Sequence, residues 1–127
     1  MPAQLKFGVQ ALMLDAWNPG DLNLFNQIQV PDEDPSQTLL CHAACVLGNQ
    51  PLEEGLGEIT LFLEENPREV LTIIFESRIS SAELAAAFDA AGLTQYTYQH
   101  ASGAWPTMGT MIDAGTRLVA FQDIATD

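Results

Sequence analysis

Apolar and polar positions along the chain repeat with two different periods, and the order in which those periods alternate sets the expected fold. Residues 11–14 form a short, almost wholly apolar run that closes on Asp15, the pattern of a strand buried on both faces. Residues 18–37 are rich in Pro, Asn, Asp and Gln and contain Pro19-Gly20, which predicts a long loop without regular structure, the kind that often carries function. A second apolar run covers residues 38–41, after which Leu52, Leu56, Ile59, Phe62 and Leu63 recur at helical spacing. Pro51 suits the first turn of that helix, and Pro67 ends it, because proline disfavours helical geometry in the residue before it. Residues 70–75, apolar and β-branched, carry the strongest strand signal and close on Glu76.

The second half continues the alternation. Ser80 with Glu83 three residues later fits a capping box, Leu84, Ala87, Phe88 and Ala91 give the helix behind it an apolar stripe, and Gly92 stops it. Thr107 caps a short helix through Met108, Met111 and Ile112 that ends at Gly115, before a last strand over residues 117–121. Apolar strands alternating with helices predict an α/β fold: about four parallel strands, covered by helices on right-handed crossovers. A closed (β/α)8 barrel of the TIM type takes about 250 residues. Residues 1–127 are therefore expected to form a single incomplete barrel segment.

Composition narrows the partners. A chain of 127 residues, 47% hydrophobic, has room for one core. Its 17 acidic residues against 4 basic ones give a formal charge of -13, which repels nucleic-acid phosphates and anionic lipid surfaces, so no nucleic acid is expected as a partner. No apolar run reaches the roughly 20 residues of a transmembrane helix. The opening MPAQLKFGVQ carries no apolar signal-peptide core. Part of a barrel exposes strand edges and apolar surface, which predicts self-association through those edges.

Chemistry in parallel α/β sheets gathers at the carboxyl ends of the strands. Asp15, His42, Glu76 and Asp123 all follow or end strands there. Two carboxylates and an imidazole on one rim can offer oxygen to a hard divalent cation and a proton donor near neutral pH. Such a set suits phosphate esters, though its spacing names no substrate. Asp123, close to the end of the chain, reads as a solvated loop acid and is left out of the core set, and His100 as an ordinary loop residue. Trp17 and Trp105 are candidates to line a ligand cleft or a lipid-facing rim, with buried packing the default for large aromatics, and neither is assigned a catalytic role.

Five strings taken together carry a family resemblance: ALMLDAW, LLCHAAC, NPREVLTIIFES, WPTMGTMI and RLVAF. In order and spacing they resemble the phosphatidylinositol-specific phospholipase C-like phosphodiesterases, most specifically in LCHxxC and NPxEVxTIxxE. The resemblance implies a phosphoric diester hydrolase in which one histidine activates an attacking hydroxyl and a second protonates the leaving alcohol. By this resemblance His42 is the second histidine, Asp15 the active-site aspartate, and Asp15 with Glu76 the ligands of a calcium-like ion. The implied partner is a phosphodiester or phospholipid head group, and the implied location is extracellular or the cell envelope. The first histidine belongs to a strand expected upstream of ALMLD, so the segment is expected to be inactive alone. Met13 stands where metal-dependent members carry a further acid, and Trp17 where metal-independent bacterial members carry an arginine. The alternative reading is a non-catalytic remnant or interaction module that needs a partner to complete its fold. Cys41, His42 and Cys45 lack a fourth zinc ligand at suitable spacing. A disulfide, local or to another segment, suits the two cysteines better.

Overall fold

The computed structural model describes residues 1–18, 37–41, 45 and 48–124. The chain enters through a short helix α1 (Pro2–Lys6), followed by strand β1 (Ala11–Trp17) and the two-residue strands β2 (Leu39–Leu40) and β3 (Gln50–Pro51). Helix α2 (Leu52–Glu65) leads to β4 (Leu71–Ser77), helix α3 (Ser81–Ala90), a 3-10 turn over Thr94–Tyr96, helix α4 (Met108–Ala114) and β5 (Leu118–Ile124). The helix boundaries follow the expected signals: Ser80 and Glu83 form a reciprocal capping box, Thr107 caps α4, and Gly115 ends it at φ 76°, a left-handed conformation that costs glycine little.

The strands make one open, mixed sheet in the order β3-β2-β1-β4-β5. β1, β4 and β5 run parallel, whereas β2 and β3 pair antiparallel. Among the described residues the expected four parallel strands are thus three, and residues 38–41 contribute one short antiparallel strand, β2, instead. Parallel pairing needs a crossover, usually a helix, between partners. α2 supplies one between β1 and β4, and α3 with α4 supplies another between β4 and β5. The loop expected over residues 18–37 lies almost wholly outside the described residues, and β2 runs alongside the end of β1, with Ala16 opposite Leu40.

Helices α1, α2 and α3 share the core on one face of the sheet. Leu12, Ala16, Leu71, Ile73, Phe75 and Leu118 point into a core shared with Leu56, Ile59 and Leu63 of α2 and Leu84 and Phe88 of α3. Phe75 and Phe88 meet edge to face at 5.9 Å between ring centroids. The opposite face carries Met13, Ile74 and Phe121, which are 69%, 41% and 46% exposed. The sequence expectation of strands buried on both faces therefore fails at these three positions.

Buried Arg117 ties the layers together just ahead of β5. Its guanidinium donates to the carbonyls of Leu63, Asn66 and Glu69, closing the carboxyl end of α2, and lies 5.4 Å from the Tyr96 ring centroid.

Candidate active site at the carboxyl rim of the sheet

Strand register brings the predicted acids together. Asp15 of β1 is paired with Glu76 of β4, and Glu76 with Asp123 of β5. Partners in a parallel ladder project to the same side, at strand spacings of about 4.8 Å. The three carboxylates therefore stand in one row on the uncovered face, one step above the row of Met13, Ile74 and Phe121. Asp123 lies inside β5, not in a terminal loop as its position implied, because pairing with β4 carries the strand on to Ile124.

His42 lies outside the described residues. Its neighbour Cys41 is placed: the Cys41 N–H donates to the carbonyl of Asp15 at 3.1 Å. Cys41 and Cys45 are joined by a disulfide, the local one of the two pairings left open by the sequence. Both are buried with Leu39 in a small cluster against which Trp17 packs. Asp15 and Cys41 share an open depression of ≈ 560 Å³ with Met13, Leu40 and Gln50.

Two features of this rim are absent from the sequence reading. The backbone N–H of Arg78 donates to Ala16 at 2.9 Å, extending the β1/β4 pairing by a step, and its guanidinium carbon lies 5.4 Å from the Trp17 ring centroid. The Ser77 hydroxyl donates to the Ile79 carbonyl and accepts from the Ile79 N–H, while the Gln122 amide donates to both Ser77 Oγ and the Ile79 carbonyl at 3.0 Å. The only sequence signal for Arg78 is its place two residues beyond Glu76, which strand alternation turns into a place on the same face.

A polar chain supports the rim from beside β1. Thr38 donates to Asn18, Asn18 donates to Glu83, and Glu83 accepts from the Ser80 hydroxyl and N–H. The Ser80 hydroxyl foremost, then the Ser80 N–H and the Asn18 amide, hold the Glu83 carboxyl below its ordinary value of 4.5. Trp17 Nε1 is buried without an acceptor among the described residues. Trp105 departs from the buried packing expected of it. It is 50% exposed and stacks on His100 at 4.1 Å with planes 8° apart, beside Tyr98 and Phe121.

Calcium takes about 6–8 oxygen ligands. Asp15 and Glu76 contribute carboxylates in adjacent register, whereas Met13, on the same face of β1, offers no oxygen. Among the described residues no group of three or more His, Cys, Asp or Glu side chains is placed to hold a metal ion. These residues by themselves do not make up a resident calcium site. Among the described residues, no helix is long and apolar enough to cross a membrane.

Comparison with known proteins bears on the family of the chain. A family model described as PI-PLC X 1 matches residues 18–127. The chain is 30% identical to PI-PLC X domain-containing protein 1 of Arthroderma benhamiae, over 81% of this chain and 36% of that protein. It is 31% identical to a PI-PLC X domain-containing protein of Arabidopsis thaliana, over 96% of this chain and 28% of that protein. The chain thus spans about a third of the length of these curated relatives. No solved structure matches it. With the family model running from the end of β1 to the last residue, and with both relatives named for the same domain, this chain belongs to the PI-PLC X domain family.

Proposed function

We propose that the chain is a segment of a phosphoric diester hydrolase of the phosphatidylinositol-specific phospholipase C-like type, inactive by itself. In the proposed reaction a hydroxyl attacks phosphorus, a new O–P bond forms, and the P–O bond to the departing alcohol breaks. A base from outside this chain takes the proton of the attacking hydroxyl. His42, as imidazolium, gives its proton to the leaving oxygen, and Asp15 serves as the active-site aspartate. The observation that carries this reading is the 3.1 Å bond from the Cys41 N–H to the Asp15 carbonyl, which anchors the residue before His42 to the strand bearing Asp15. The Cys41–Cys45 disulfide supports an extracellular or cell-envelope location, since disulfides persist in oxidising compartments.

The sheet itself is proposed as part of an α/β barrel. Helices on one face and exposed Met13, Ile74 and Phe121 on the other are what a barrel wall presents when the remaining strands are taken away. The same uncovered face favours a second reading, a non-catalytic module completed by a partner. Cleavage of phosphodiesters, with and without calcium, separates the two. The comparison sets this chain beside a form extended upstream by a histidine-bearing strand, with His42→Ala in each. Activity confined to the extended form and lost on His42→Ala supports the hydrolase. Folded proteins that cleave no diester in any arm leave the module reading in its place.

A further inference from the structure

We propose that Arg78, held against Trp17, is the residue that binds the phosphodiester anion at the carboxyl rim. The assignment rests on the hydrolase reading for its ligand and on the charge map of the molecule for its place. The chain has four basic residues, Lys6, Arg68, Arg78 and Arg117. Lys6 lines a depression with Gln10, Asn66 and Glu69, at the amino ends of β1 and β4. Arg68 lies between α2 and β4, also at an amino end, and Arg117 is buried with its guanidinium on three carbonyls. Among the four Lys and Arg residues, Arg78 alone stands at the carboxyl rim.

Its placement is built rather than incidental. Ser77 and Ile79, the residues on either side, are buried and bonded to each other and to Gln122. Strand alternation then puts Arg78, which is exposed, on the face of Glu76 and next to Trp17. Trp17 in turn packs on Leu39, Cys41 and Cys45, which flank His42 in the sequence.

The electrostatics call for a cation at this point. A phosphodiester carries one negative charge, and Asp15, Glu76 and Asp123 line the same face. An anion approaching that row is repelled unless a positive group receives it. A guanidinium does so with paired N–H donors matched to two phosphate oxygens. The indole attracts the cation through its ring face, which restrains the side chain and leaves the donors at the guanidinium edge available.

The test is binding to the 127-residue chain in two arms, dimethyl phosphate in solution and phosphatidylcholine vesicles carrying phosphatidylinositol, which separate a soluble diester from a lipid head group. The expected result is that Arg78→Gln weakens binding at least about tenfold in one arm or both, as loss of a charge-assisted contact does. Arg78→Lys should recover part of the affinity, and Arg68→Gln should leave it unchanged. Equal binding by Arg78→Gln and the parent, an equal loss on Arg68→Gln, or no binding by the parent in either arm overturns the assignment. If Arg78→Gln does not fold, the Arg78 Nε–Hε resonance of the parent decides, because dimethyl phosphate must shift it. The two readings fail separately. Cleavage by the extended form that depends on His42 and is indifferent to Arg78→Gln in KM and kcat overturns the arginine and keeps the hydrolase. Binding lost on Arg78→Gln, in a protein that cleaves nothing, keeps the arginine and removes the hydrolase.

Discussion

Arg117 is 5% exposed, and among the described residues only backbone carbonyls and the Tyr96 ring receive its charge. The negative end of α2, where Leu63, Asn66 and Glu69 offer oxygens and the last turn carries no basic residue, replaces a counter-ion. Substituting Arg117→Met keeps much of the volume and leaves those carbonyls short of donors. Chemical denaturation should report a loss of about 3 kcal/mol, with Arg117→Lys intermediate because a point ammonium cannot reach all three carbonyls. An unchanged midpoint would contradict the capping role. In the sequence Arg117 reads as the first residue of a strand. Its job depends on a helix end about fifty residues earlier in the chain and so is not written locally. Asp15 and Glu76 were legible because a charged residue closing an apolar run is a local pattern, and Asp123 was legible as a rim acid but not as a strand residue, which, like the place of Arg78, depends on strand register.

At the scale of elements, α3 is the most legible part of the molecule. Its cap is a short-range device, and Ser80 and Glu83 bond one another as their spacing predicts. Ser80→Ala should lower stability by about 1 kcal/mol, the usual loss for an amino-terminal cap. Because the Glu83 carboxyl is held below 4.5 in the folded protein, protons bind the unfolded chain more readily. Its contribution is therefore complete above pH 4.5 and drains away as pH falls through the lower folded value. A pH series of unfolding midpoints should show that acid-side slope in the parent and a shallower one in Ser80→Ala, and identical slopes would remove the linkage. β2 and β3 stand at the other extreme. Strands of two residues hold too little pattern to announce a direction, and their antiparallel sense follows from the route of the chain around β1.

At the scale of the whole molecule, among the described residues the open sheet leaves Met13, Ile74 and Phe121 exposed on the face away from α2 and α3. Burial of that face should drive association of purified chains even against a charge of -13, and salt should strengthen it by screening the repulsion. Sedimentation velocity over a concentration series should show mass rising with concentration, and Met13→Lys with Ile74→Thr should reduce it. A sharp monomer at every concentration and salt would show that the uncovered face does not self-associate. The order of apolar runs, helix caps and prolines determined by sequence alone that the protein alternates strands with helices, and where most of those helices begin and end, because such signals act over a few residues. The resemblance carried in its motifs named the family. Only the tertiary structure decided that three strands are parallel and two antiparallel, that one face lies open, and that Asp15, Glu76 and Asp123 form a single row beside Arg78. Those outcomes depend on register between strands far apart in the chain, where a shift of one residue sends every side chain to the opposite face.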